Sequence, residues 1–387
     1  MSAIPPSPIE IQVIHSMNEV EPSEWNSLVD PNDPFAEHAF LALLEESESV
    51  GRASGWVPVH MVARRGEALV GAMPLYLKNN SYGEYIFDWG WADAAGRAGI
   101  PYYPKLVSAV PFTPAAGRRI LAHDAETTQA LIDGLHGVAK ATRAMSIHVL
   151  FCSAQERELL ADRPEFIGRF THQFHWDNDS YADFDEWLQR FRSRRRKEVR
   201  RERKAPHNLG VSVRLVRGSD VTENLWLSMR RFYERTVAKK HASAYLSQAF
   251  FEKGAQRLSH TAALFVAEKD GEPVAGSLCF QRGQHLLGRY WGCEPGFESL
   301  HFELCYHAPI EACIRNQWTH FEAGAQGMHK VQRGLAPALT HSAHHLRHQG
   351  LHEAVRDALL QEENQIHAEM QWCADKLPFH RTEPQTE

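Results

Sequence analysis

Residues Ala262–Gly292 read AALFVAEKDGEPVAGSLCFQRGQHLLGRYWG. Apolar and β-branched residues run from about Ala263 to an Asp270-Gly271 turn. A second run continues through Phe280, and a third spans His285 to Trp291. Short apolar runs separated by brief polar breaks, one of them Asp-Gly, are the pattern of an antiparallel meander. The same layout occurs earlier, in Trp56–Asn80, WVPVHMVARRGEALVGAMPLYLKNN, where Arg65-Gly66-Glu67 forms the break. The chain therefore carries one kind of sheet twice, alike in pattern and hardly in identity.

Each meander is followed by a helical pattern and then a short strand. Residues 124–143 place Ala130, Leu131, Leu135 and Val138 at helical spacing before MSIHVLF, and residues 303–316 do the same with Leu304, Ala308, Ile310 and Ile314 before HFEAG. Sheet, helix and strand in succession give an α/β fold with mixed sheets flanked by helices. Two halves are expected, 1–182 and 183–387. A long helix from Asp183 to about Lys204 joins them, and a closing helix runs from His352 to Lys376.

The length of 387 residues, with 43% hydrophobic and 23% charged side chains, suits two globular cores. No apolar run is long enough to span a membrane, and the start MSAIPPSPIEIQVIH lacks the basic stretch and apolar core of a secretory leader. A cytoplasmic location is expected. The six cysteines are scattered, without a CxxC pair, and read as reduced, mostly buried thiols. A net charge of -6 argues against a generally basic nucleic-acid binder. There is no GxSxG elbow, phosphate loop or GxGxxG fingerprint, so serine-hydrolase and dinucleotide chemistry find no support.

One segment reverses the charge. Gln189–Lys204 holds ten Lys or Arg against two Glu. Trp187, Leu188 and Phe191 give its start an apolar face, but beyond them only Val199 is apolar, so the helix 187–204 is expected to leave the core and project. Charge runs are commonly just solvated. The functional reading makes Arg194, Arg195 and Arg200 donors to phosphate oxygens.

The densest polar constellation follows the second meander. Leu300–Tyr306, LHFELCY, opens a helix with His301 and Glu303 at its start and Tyr306 three residues after Glu303, on the same helical face. Phe321–Leu335, FEAGAQGMHKVQRGL, then leaves a strand through three glycines, carrying Glu322, Gln326, His329, Lys330 and Arg333. Glycines let backbone approach a ligand closely, although a Gly-rich exit can equally be a plain turn. In the first half, Phe87, Trp89, Trp91, Tyr102 and Tyr103 with Asp88, Asp93 and Lys105 form an aromatic and charged group that suits either a cleft or a core. His341, His344, His345 and His348 form two i,i+4 pairs, but no HExxH or cysteine accompanies them, and no metal is expected.

The segments Leu300–Gln317, Phe321–His344, Phe87–Ala94 (FDWGWADA), Tyr102–Pro114 (YYPKLVSAVPFTP) and Ser193–Lys204 (SRRRKEVRRERK) resemble the bacterial FemAB-like family of the GNAT superfamily, in the family's order across nearly the whole chain. The resemblance implies two tandem GNAT-like domains and an N-acyltransferase. An acyl or aminoacyl group would pass from acyl-CoA or aminoacyl-tRNA to an amine acceptor such as a peptidoglycan precursor, with no covalently held cofactor. Attack by an amine needs a proton acceptor, for which Glu303, Glu322 and His329 are candidates. The tetrahedral oxyanion needs donors, which Tyr306 or the amides of a distorted strand would supply. Tyr103, Lys105, His301, Gln326, Lys330 and Arg333 are expected to hold substrate, in a cleft between the halves. Pro111–Arg119, PFTPAAGRR, is the nearest match to a pyrophosphate-binding turn and offers Thr113 and Arg118. Two other readings remain open: a non-catalytic precursor-binding module, and an RNA-binding protein using the basic helix. Neither the sequence nor the resemblance specifies an oligomeric state.

Overall fold

A computed structural model describes residues 7–240, 242–325 and 327–380. The chain is mixed α/β, as the meanders imply, with fifteen strands among the described residues: β1 Ile9–Ile14, β2 Trp56–Pro58, β3 His60–Arg65, β4 Ala68–Met73, β5 Tyr76–Lys78, β6 Lys105–Ser108, β7 Leu121–Ala122, β8 Ser146–Cys152, β9 Ile167–Asp177, β10 Ser212–Arg217, β11 Ala262–Lys269, β12 Glu272–Arg282, β13 His285–Cys293, β14 His320–Glu322 and β15 Ala336–Leu346. They belong to two compact units. One comprises residues 1–171, 245–250 and 339–366, and the other 172–244, 251–338 and 367–387.

In the first unit the early meander is a single hairpin shared by two sheets. Its tip, β3 and β4, pairs with β1 and β7, and its base, β2 and β5, pairs with β6. The change of sheet falls at Pro58 and Pro74, which have no N–H to offer a ladder. β6 then runs parallel to β8, and β8 antiparallel to β15. Helix Ala125–Thr142 is capped by Asp124, whose side chain accepts from Thr127 N, and buries Leu131, Ile132, Leu135 and Val138 against the hairpin tip and β8. The strand β15 carries His341, His344 and His345, so their spacing is that of an extended strand and not of a helix face.

The second unit is built on the later meander, β11-β12-β13, extended by β10 and antiparallel throughout, followed by β14 parallel to β13 and β9 antiparallel to β14. The Asp270-Gly271 turn has both central residues at positive φ, 52° and 85°, the requirement of a two-residue hairpin whose twist matches its strands. Helix Glu223–Lys239 lies directly on β12 and β13. The opposed pair Gly276 and Gly292 makes room for it: a Cβ on Gly292 would stand 2.0 Å from Phe232 O, and one on Gly276 2.4 Å from Met229 Sδ.

The single helix expected over Asp183–Lys204 is two short ones, Phe184–Gln189 and Ser193–Glu202, with a third, Ala205–Leu209, just beyond. The break has a clear cause. Phe191 is fully buried against Trp187 and Phe379, and its backbone makes a β-bridge with Phe379 while Arg192 N donates to Pro378 O. The basic helix also does not project as expected: Val199 is buried, and Glu202 and Arg203 turn inward to ion pairs. Helix Gln349–Asp375 closes the chain, close to its expected bounds. No helix among the described residues is long and apolar enough to cross a membrane. All six cysteines are unpaired and five are buried.

Candidate active site

β13 and β14 run side by side for only three residue pairs, His285–Leu287 against His320–Glu322. Beyond Leu287 no strand among the described residues pairs with that edge of β13. Its register against β12 slips there, with Cys279 opposite Gly288 and Leu278 opposite Tyr290, so Arg289 is the extra residue of a bulge. The chain after β13 returns as a π-helical turn, Glu303–His307, running into helix Ala308–Asn316. A 3-10 segment, Met328–Arg333, follows β14.

These segments bring together four of the expected residues. Tyr306 Oη and His329 Nε2 are 2.8 Å apart. The His301 ring lies 5.6 Å from the Tyr306 ring and 5.7 Å from that of His329, and Trp291 at the end of β13 lies 5.0 Å from His301. Arg333 donates to His329 O at 2.8 Å and stacks on Phe302 at 3.3 Å. Burial, reinforced by the nearby Arg333 and Lys330 cations, pulls His329 below the ordinary histidine value, and burial with His329 and Arg333 takes His301 down to about 4. Both imidazoles are therefore neutral at pH 7. Burial pushes the Tyr306 hydroxyl upward, so it stays protonated and can donate.

Glu303 does not join Tyr306. The π-helical turn closes i→i+5 bonds, and its wider turn rotates residue 306 further from 303 than an α-helix would, so the shared face expected from the spacing is lost. Glu303 instead meets Arg203 at 3.5 Å, beside Glu311, and burial raises its carboxyl to about 7; its Oε2 has no hydrogen-bond partner among the described residues. Arg333 is held by Glu202, bonding through both its Nη2 (2.6 Å) and Nε (3.2 Å), and Glu202 also meets His307 at 2.8 Å. Lys330 is buried and donates to Gly324 O, and burial lowers it to about 8. Glu322 lies on β14 beside His175 and His320. Gln326 lies outside the described residues.

The remaining candidates are placed as follows. On helix Ser193–Glu202, Arg194 is 90% exposed and Arg200 is exposed, while Arg195 bonds Glu198 and Gln332; Arg194, Lys197 and Arg201 line an open groove. In the first unit Lys105 is buried, donating to Ser81, Glu84 and Asp88 at 2.9, 2.9 and 2.5 Å, and Tyr103 bonds Ser81 at 2.8 Å. Thr113 is buried and donates to Pro111 O, while Arg118 donates to Ile120 O and Ala122 O. Pro111–Arg119 is fastened internally, with Glu156 accepting from the amides of Arg119 and Ile120. Sequence reading did not single out Glu202, His307, His175 or His320. The alternation of polar residues in Gln173–Asp177 and His320–Glu322 was the available signal for the last two.

The profile of the FemAB-like family, described as peptidoglycan biosynthesis/recognition, matches residues 16–381. No curated relative matches the chain in sequence. Among solved structures, FemX is 13% identical over 89% of this chain and 100% of its own, with a TM-score of 0.53. A C-terminal domain assigned to a lysylphosphatidylglycerol synthetase of Agrobacterium fabrum is 10% identical over 89% of this chain and 96% of its own, at 0.54. L-PGS from Bacillus licheniformis is 9% identical over 82% and 95%, at 0.50. At such identities the likeness is one of fold.

Proposed function

The chain belongs to the FemAB-like family, and from that premise we propose that it is an N-acyltransferase that moves an acyl or aminoacyl group from aminoacyl-tRNA or acyl-CoA to the amine of a peptidoglycan-related acceptor. The observation that carries this reading is the Tyr306–His329 hydrogen bond beside the bulged, unpaired edge of β13. A neutral imidazole accepts the proton of the attacking amine, directly or through water. The new N–C bond turns the donor carbonyl into a tetrahedral oxyanion, which the Tyr306 hydroxyl and the amides of Gly288–Trp291 stabilise by donation. The intermediate collapses by breaking the bond to the ribose oxygen or the CoA sulfur, and that leaving group takes up the proton. The basic helix supports a phosphate-rich donor, because its outward guanidinium groups match phosphate oxygens.

The test is turnover. Purified full-length chain is incubated with a cell-wall precursor nucleotide and either a charged tRNA pool or acetyl-CoA, and the acceptor is weighed by mass spectrometry. An acceptor heavier by one aminoacyl or acyl unit, lost in His329→Ala, supports the reading. Binding of the precursor without any product from either donor would make the protein a recognition module.

A further inference from the structure

β9, β13 and β14 align a second constellation. The register pairs His320 with Asp177, Glu322 with His175, and His285 with His320. Directly opposed strand residues, and residues two apart, share a face. Asp177, His175, His320, Glu322 and His285 therefore all stand on one side of this sheet. The alternating residues Phe174, Trp176, Leu286 and Phe321 point to the other side and are buried in the hydrophobic core of the second unit. On that face His175 and Glu322 are nonetheless buried, and buried polar groups need partners.

We propose that His175, His320 and Glu322 bind a divalent transition-metal ion, zinc or a similar borderline ion. One ligand atom from each of the three lies within 4.8 Å of the others. Glu322 Oε1 stands 3.5 Å from His320 Nε2 and 3.8 Å from His175 Nε2. Two imidazoles and one carboxylate are a recurring donor set for such ions and leave further coordination positions to water or a ligand. The outer partner is also present: His320 Nδ1 meets Asp177 Oδ1 at 2.6 Å, which fixes the ring with Nε2 on the side of Glu322. His175 and Glu322 are buried, whereas Asp177 is exposed and His320 partly so, which leaves a way in from solvent.

The full-length chain is stripped with chelator, dialysed, and titrated with Co²⁺, with Zn²⁺ as competitor. One equivalent of Co²⁺ should bind and give a visible d–d absorption that Zn²⁺ abolishes. His320→Ala and Glu322→Gln should remove that band, whereas a change at the remote His15 should leave it intact. Asp177→Asn should weaken binding by about 10- to 100-fold, as loss of an outer partner does. If burial makes Glu322→Gln unfold, circular dichroism will show it, and the partly exposed His320→Ala decides alone. No band in the parent at millimolar Co²⁺, or an unchanged band in folded His320→Ala, would overturn the site. Acyl transfer is read separately, so failure here leaves the proposed chemistry standing.

Discussion

Tyr306 and His329, 23 residues apart in the chain, share a 2.8 Å hydrogen bond between the phenol oxygen and Nε2. If this pair handles the proton and the oxyanion, His329→Ala should lower kcat by roughly 100- to 10,000-fold. Tyr306→Phe should lower it roughly 100-fold or more while leaving KM close to the parent value. Steady-state kinetics on both variants, with melting curves to confirm folding, check this.

The pH profile follows from the direction of the His329 shift. Burial and the Arg333 and Lys330 cations hold its pKa below the ordinary value, so the base stays neutral and activity persists as pH falls through about 6.5. The acid limb of kcat/KM should lie below that value. Lys330→Met removes one of the cations and should move the limb to higher pH; a limb that stays fixed would assign it to another group.

Glu303 predicts a stability effect with a definite sign. Its folded pKa, raised to about 7 by burial, exceeds the 4.5 of an ordinary glutamate, so between these values the folded chain binds the extra proton. Stability then falls as pH rises from about 4.5 to 7, by about 3 kcal/mol at most. Glu303→Gln should flatten this dependence and melt above the parent at pH 8. Thermal melts from pH 5 to 8 measure it.

Lys105 is buried with Glu84 and Asp88, and Tyr102 bonds Asp88 as well. Lys105→Ala leaves buried Asp88 without its lysine and Glu84 with only Lys78, 3.7 Å away, and should cost about 3–5 kcal/mol in urea denaturation. A loss that small surface ion pairs would explain, below about 1 kcal/mol, would mean the cluster is well solvated.

The basic helix has an outer and an inner face. Arg194, Arg195 and Arg200 point outward or pair with the helix's own Glu198, Arg195 adding one exposed bond to Gln332, so replacing all three with Gln should leave the melting temperature almost unchanged. The same variant should bind tRNA more weakly and with a shallower salt dependence, since each lost phosphate contact removes roughly one unit of slope or less. Glu202→Gln, by contrast, loosens Arg333 and His307 together and should destabilise the protein. Filter binding at several salt concentrations, alongside melts, separates the two faces.

The sequence alone determined the two meanders, the helices after them and the closing helix, because each rests on short-range pattern: strand runs bounded by turn residues, and apolar positions repeating at helical spacing. The Asp270-Gly271 turn could be read because the required positive φ is a local property. The residues of the Tyr306–His329 pair were visible too, since both sit on polar segments beside the second meander. Tertiary structure decided what those residues touch. A π-helical turn, invisible to a helical wheel, separates Glu303 from Tyr306. The buried Phe191 and its bridge to Phe379 break a segment whose local pattern reads as one helix. Glu202 captures Arg333, and strand register across β9, β13 and β14 gathers His175, His320 and Glu322. The last three of these outcomes depend on a partner far away in the chain, and local propensity carries no information about such partners.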